Sequence, residues 1–242
     1  MMLSSENKSI PEAYYALYKG LSAQISGRPA AELRPYAFFV AWSGVIALVY
    51  ERFPLVLHEA KTLANALIPG IDQENPGAMW PKTSLAARST AEPLRHAEAL
   101  RLIQLCEEHT ERLQAAPPLL VDHLLLVAYR QRSLERTQGA LRVGFNRPCM
   151  TSETSVDPLV AEIVSPNAVV RPVYLERTCA PGHDIAHYRD DQPGWSMVVH
   201  VGSYYQAYIS ALREAIEDAL PGRYAWFHES SLHVTVRGLH EE

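Results

Sequence analysis

The stretch SSLHVTVRGLHEE, running from Ser230 to Glu242, decides how the fold is read. Side chains alternate between the two faces of a β-strand. On that rule His233, Thr235 and Arg237 share one face, and Val234 and Val236 share the other. The valine face belongs against a core. The opposite face offers a titratable ring, a hydroxyl and a fixed positive charge. Just upstream, YYQAYISALREAIEDAL sets Tyr205, Ile209, Leu212, Ile216 and Leu220 on one helical stripe, and Pro221-Gly222 ends it.

The same order, strand, helix, polar loop and polar strand, occurs twice, at 36–88 and at 196–239. In the first pass YAFFVAWSGVIALVY, from Tyr36, reads as a buried strand continuing into a second element. At about 15 residues it falls short of the ~20 that a membrane span requires. PLVLHEAKTLANALIPG follows as a helix begun by Pro54 and stopped by Pro69-Gly70, with Leu57, Ala60, Leu63 and Leu67 as its buried stripe. The pass ends on AMWPKTSLAAR, a short strand candidate interrupted by Pro81. Alternation puts Lys82, Ser84 and Arg88 on one face. Each polar strand therefore shows a basic group and, two residues on, a hydroxyl.

Between the passes, AEPLRHAEALRLIQLCEEHTERLQ is a strong amphipathic helix. LLVDHLLLVAYRQRS, GALRVGFNRP and VVRPVYLERTCA read as strands there, and WSMVVHVGS as the strand that opens the second pass. TSETSVDPLVAEIVSPNAV reads as a long polar stretch, and PGHDIAHYRDDQPG as a loop. Residues 1–34 read as an N-terminal helical extension, with Pro11 in the first turn and Tyr14, Leu17 and Leu21 at helical spacing. Residues 35–242 form the main domain.

Composition narrows the function classes. The 242 residues carry a net charge of −5, so any phosphate binding must be local and no extended nucleic-acid surface is expected. Cys106, Cys149 and Cys179 are scattered without a CxxC pair, which argues against a disulfide framework or zinc site and for a reducing, cytoplasmic setting. The first residues lack an apolar run behind a basic start, so no secretory signal is expected, nor is a membrane partner. Oligomeric state leaves no mark in the sequence.

At its two polar strands the chain resembles the two-histidine phosphoesterase superfamily, which includes the RNA ligase and cyclic nucleotide phosphodiesterase-like proteins. Members carry two His-x-Thr/Ser-x motifs whose last position is apolar. His233-Val234-Thr235-Val236 matches this pattern. Lys82-Thr83-Ser84-Leu85 matches at Ser84 and Leu85 but has lysine where the family has histidine. The resemblance, over residues 36–242, implies an α+β fold. Two pseudo-symmetric lobes of antiparallel sheet with flanking helices would surround a central cleft holding a small phosphodiester, a cyclic phosphate or an RNA end. It implies no cofactor and no metal.

The chemistry suits these residue types. Opening a cyclic phosphate needs a base for the attacking oxygen, an acid for the leaving oxygen and donors for the non-bridging oxygens. His233 suits a proton role, because an unperturbed imidazole titrates near 6.5. Thr235 and Ser84 orient the phosphate, and Lys82 and Arg237 neutralise its charge. An ordinary lysine, at about 10.4, is a cation and a poor base at neutral pH. Two readings therefore stand: Lys82 clamps charge or protonates the leaving group, or catalysis has decayed and a nucleotide- or RNA-end-binding module remains. Arg88 is a weaker phosphate ligand candidate, and Tyr204 and Tyr205 are candidates for stacking on a base. His183, Asp184, His187, Asp190 and Asp191 resemble no recognised metal site and read as a solvated loop, or as a lid over the cleft.

Overall fold

Positive φ values at Ser43 (58°) and Gly44 (76°) break the apolar run from Tyr36 in two. The run becomes a hairpin, and its second element is also a strand. A Cβ on Gly44 would stand 2.6 Å from a methyl of Leu94, so both the backbone and the packing require glycine there.

The computed structural model describes residues 12–239 apart from 69, 72, 75–78, 147–154 and 166–171. Pro11, Pro69 and Cys149, and the ends of the stretch from Thr151, thus lie outside the described residues. In chain order the elements are α1 (Glu12–Ile25), β1 (Ala31–Leu33), β2 (Pro35–Val40), β3 (Ile46–Tyr50), α2 (Leu55–Leu67), β4 (Lys82–Arg88), α3 (His96–Leu113), β5 (Leu119–Val121), β6 (His123–Tyr129) and β7 (Thr137–Gly144). They continue with α4 (Pro158–Val164), α5 (Pro172–Cys179), α6 (Ile185–Arg189), β8 (Gly194–His200), α7 (Gln206–Ala219), β9 (Tyr224–Trp226) and β10 (His233–Leu239).

The protein is α+β. One sheet has the order β2-β3-β4-β9, a second has the order β10-β8-β6-β7, and β1 pairs with β5; every pairing among these strands is antiparallel. The units β3–α2–β4 and β8–α7–β10 share one topology, a strand returned beside its neighbour by a helix. Apolar stripes fix the helices: Val56, Leu57, Ala60 and Ala64 of α2 and Ile209, Leu212 and Ile216 of α7 are buried.

Three segments differ from the sequence expectation, the first being PGHDIAHYRDDQPG, read as a loop, in which Ile185–Arg189 form a short helix. Residues 172–179 are helical, not a strand: Pro172 opens the helix, and Tyr174, Leu175, Thr178 and Cys179 return to the protein at helical spacing. Residues 158–164, within the polar stretch, also form a helix. Asp157 caps it by accepting from the Leu159 amide at 2.8 Å, Pro158 begins it, and Val160 is its buried anchor.

Residues 12–33 are part of the core. Tyr14, Leu17, Leu21 and Ile25 of α1 are buried. The Tyr14 ring stacks on Trp195 at 4.5 Å, and its hydroxyl donates to the Leu239 carbonyl at 2.9 Å. That bond ties the start of the described chain to the end of β10. Tyr14→Phe keeps the stack and leaves the buried carbonyl without this donor, so a loss of about 1 kcal/mol is expected in urea unfolding at pH 7.

Candidate functional site

β4 packs alongside β10 where the two sheets meet. Lys82 and Ser84 from β4, and His233 and Thr235 from β10, line one cleft of about 640 Å³. Alternation within each strand puts the basic group and the hydroxyl on the cleft face, with Thr83, Leu85, Val234 and Val236 buried.

Each motif strand carries a β-bulge immediately after its hydroxyl. In β4 the register passes from Ser84↔Ala47 to Ala86↔Ile46, leaving Leu85 as the extra residue. In β10 it passes from Thr235↔Val198 to Arg237↔Met197, leaving Val236 extra. One inserted residue reverses the facing of everything beyond it. Strict alternation is therefore correct up to Ser84 and Thr235 and fails after them.

The reversal corrects the expectations for Arg88 and Arg237. Arg88 faces away from Lys82 and Ser84 and is 1% exposed. Its guanidinium donates to the carbonyls of Ser43 (2.9 Å), Ala91 (3.1 Å), Glu92 and Gly182 (2.8 Å). It is absent from the cleft wall and holds the β2–β3 turn and the loop before α6 in place. Arg237 lies on the opposite face from Thr235, and its Nε donates to Asn65 Oδ1 of α2 at 2.8 Å. It still borders the cleft.

Tyr204 and Tyr205 lie outside the cleft wall. The Tyr205 ring is 0% exposed, and its hydroxyl donates to the Pro117 carbonyl at 3.2 Å. The Tyr204 hydroxyl donates to the Pro118 carbonyl at 3.0 Å. Both anchor the N-terminus of α7 to the chain entering β5; core packing takes the Tyr205 ring, and the Tyr204 ring, 47% exposed, lies away from the cleft.

The segment 181–193 forms a wall of the cleft through His183, His187 and Tyr188. Two of its acids are engaged elsewhere. Asp184 caps α6 by accepting from the His187 amide at 3.2 Å, and Asp191 accepts two bonds from Arg130. Arg189 pairs with Glu135 at 2.6 Å, closing the wall onto the strap between β6 and β7. Among the described residues no group of three such side chains is arranged to hold a metal.

The electrostatics separate the two motif groups. His233 Nδ1 is 2.7 Å from the Ser231 carbonyl. A carbonyl only accepts, so Nδ1 carries the proton and Nε2 keeps a lone pair. Burial lowers the imidazole to about 4, against which the bond to Ser231 acts upward. His233 is therefore neutral at pH 7. Burial also lowers Lys82 to about 8, while its ammonium stands 4.1 Å from the centre of the Trp80 ring. At neutral pH the cleft holds a neutral base and a cation that sheds its proton at only modestly higher pH.

Several cleft residues had no signal in the sequence. Tyr188 bonds Ser84 through their side chains, Tyr129 bonds Ser196, and Arg132 Nη1 lies 3.5 Å from His187 Nε2. His187 is pushed down to about 4 by burial and then by His183 and Arg132, and His183 is lowered by burial and then by Lys82. In the sequence the two histidines belonged to a segment read as a solvated loop or as a lid over the cleft. Only the docking of α6 makes them cleft residues.

Comparison with models of protein families, with curated proteins and with solved structures gives no match for this chain.

Proposed function

We propose that the cleft takes a small phosphodiester, such as a 2′,3′-cyclic phosphate or an RNA end, and hydrolyses it by acid–base catalysis with His233 and Lys82. The observation that carries the reading is the paired geometry: two bulged strands each offer a nitrogen base and a hydroxyl to one cavity. His233 Nε2 takes a proton from water as its oxygen attacks phosphorus. The bond from phosphorus to the leaving ribose oxygen breaks, and that oxygen takes a proton from the Lys82 ammonium. Ser84 and Thr235 hold the non-bridging oxygens. Solvent then returns a proton to Lys82 and removes one from His233.

The pH profile tests the division of labour. Turnover of a 2′,3′-cyclic nucleotide is expected to plateau between about 4, where His233 protonates, and about 8, where Lys82 loses its proton. Lys82→His draws the alkaline limb down by more than one pH unit while activity persists. A profile flat through both limbs removes the assignment, and so does an alkaline limb unmoved in Lys82→His.

The contact of Lys82 with Trp80 favours a second reading, in which the ammonium stays a charge clamp and the cleft binds without turnover. That reading expects saturable, salt-sensitive binding of cyclic nucleotides, no product at any pH and no gain in Lys82→His.

A further inference from the structure

A second cavity of about 550 Å³ lies next to the cleft. Trp42, Trp80, Lys82, Ser84, His183 and Tyr188 line both spaces, so a ligand phosphate beside Lys82 and Ser84 has its substituent at the mouth of this cavity. Beyond the shared wall the lining is apolar: Phe39, Val45, Met79, Leu159, Ile163 and Val173. Phe39 and Trp80 of this lining belong, with Val49 and Val160, to a small satellite core separate from the main one.

Large apolar side chains exposed to solvent gather at its rim: Trp42 is 43% exposed, Met79 52%, Leu159 39% and Val173 56%. Apolar surface of this kind around a cavity marks a ligand or partner site. The polar side chains beyond the shared wall are Glu162, Tyr174 and Arg177. The Tyr174 hydroxyl already donates to the Val40 carbonyl at 2.6 Å, and the Arg177 guanidinium lies over Trp42 at 4.7 Å. A nucleobase is read through hydrogen bonds to its edges. A hydrocarbon asks only for apolar contact and volume.

We infer that this cavity binds the hydrocarbon part of the substrate, which makes the ligand an amphiphilic phosphoester: phosphate in the cleft, an aliphatic alcohol in the apolar chamber. The inference rests on the phosphodiester reading of the cleft and names the substrate class for it. The chamber shares Lys82 and Ser84 with the cleft wall, and that shared wall singles out a tail on the same molecule over a separate partner.

The test titrates the full chain with methyl, butyl and octyl phosphate, below the micellar range, by calorimetry and tryptophan fluorescence. Octyl phosphate is expected to bind at least about 100-fold tighter than methyl phosphate, since each buried methylene contributes up to roughly fourfold. In Val173→Glu the octyl-to-methyl ratio falls toward one, whereas Leu120→Glu, on the distant β5, keeps it. Measurable methyl phosphate binding with no dependence on chain length overturns the chamber and leaves the phosphodiester reading standing. Tighter binding of uridine 3′-monophosphate than of octyl phosphate, weakened in Val173→Glu, assigns the chamber to a nucleobase instead. Length-independent binding together with a dimer that Val173→Glu dissociates makes the rim an interface between copies. No binding of any phosphate compound overturns both readings.

Discussion

His233→Ala slows turnover of a 2′,3′-cyclic nucleotide by about 10²–10⁴-fold, the range contributed by a positioned acid or base. The loss falls on kcat, because Ser84, Thr235 and Lys82 remain on the cleft wall to hold the phosphate. The size of the effect follows from the ring's setting. The Ser231 carbonyl fixes the proton on Nδ1, and burial keeps Nε2 unprotonated at neutral pH. The base is thus almost fully in its active form without waiting for a proton to leave. Deleting the ring also opens a cavity of imidazole shape, so added imidazole restores part of the rate in His233→Ala and none in the wild type. A variant within tenfold of wild type on every cyclic nucleotide removes His233 from the chemistry.

Arg88→Met is expected to cost about 3–5 kcal/mol of stability, on the order of 1 kcal/mol for each of the buried carbonyls left without a donor. The guanidinium is 1% exposed and satisfies carbonyls from three separate segments, at Ser43, at Ala91 and Glu92, and at Gly182. Methionine fills much of the volume but leaves those oxygens buried without their donors. Arg88→Lys recovers only part of the loss, because an ammonium lacks the planar five-donor fork. Urea unfolding at pH 7, with the slope held between variants, measures both. A loss below about 1 kcal/mol in Arg88→Met means that water or a neighbour replaces the network. Trp42 and His183 flank the held carbonyls at Ser43 and Gly182, so any variant that survives also loses definition in the cleft wall.

The contrast between Arg88 and His233 shows how far the sequence carries. The period-2 rule places Lys82 with Ser84 and His233 with Thr235, and these side chains do line one cleft. The same rule extended to Arg88 and Arg237 fails, because the extra residues Leu85 and Val236 reverse the faces. Both are ordinary apolar strand residues, and nothing in their identity announces a bulge. Helices with long apolar stripes, α2, α3 and α7, were legible from spacing alone. α5 was not, because Val173, Tyr174 and Leu175 form a short apolar run that strand and helix accommodate equally well. The first 34 residues read as an appendage because their apolar stripe carries no address for its partner. Only the folded chain supplies Trp195 and the Leu239 carbonyl beside Tyr14.

By itself, then, the sequence determined the local periods: which strands are polar on one side, which helices have a core stripe, and which residues could meet a phosphate. The tertiary structure decided the rest: where strand register slips, which arginine is a buried strut, and which distant residues, Tyr188, Arg132 and Trp42 among them, enclose the cavity. The reason is one of range. Periodicity is set by a residue and its near neighbours along the chain. Register, burial and cavity walls are set by packing between segments far apart in the chain, such as Arg88 with the loop before α6 at Gly182, 94 positions away, or Tyr14 with Leu239, 225 positions away.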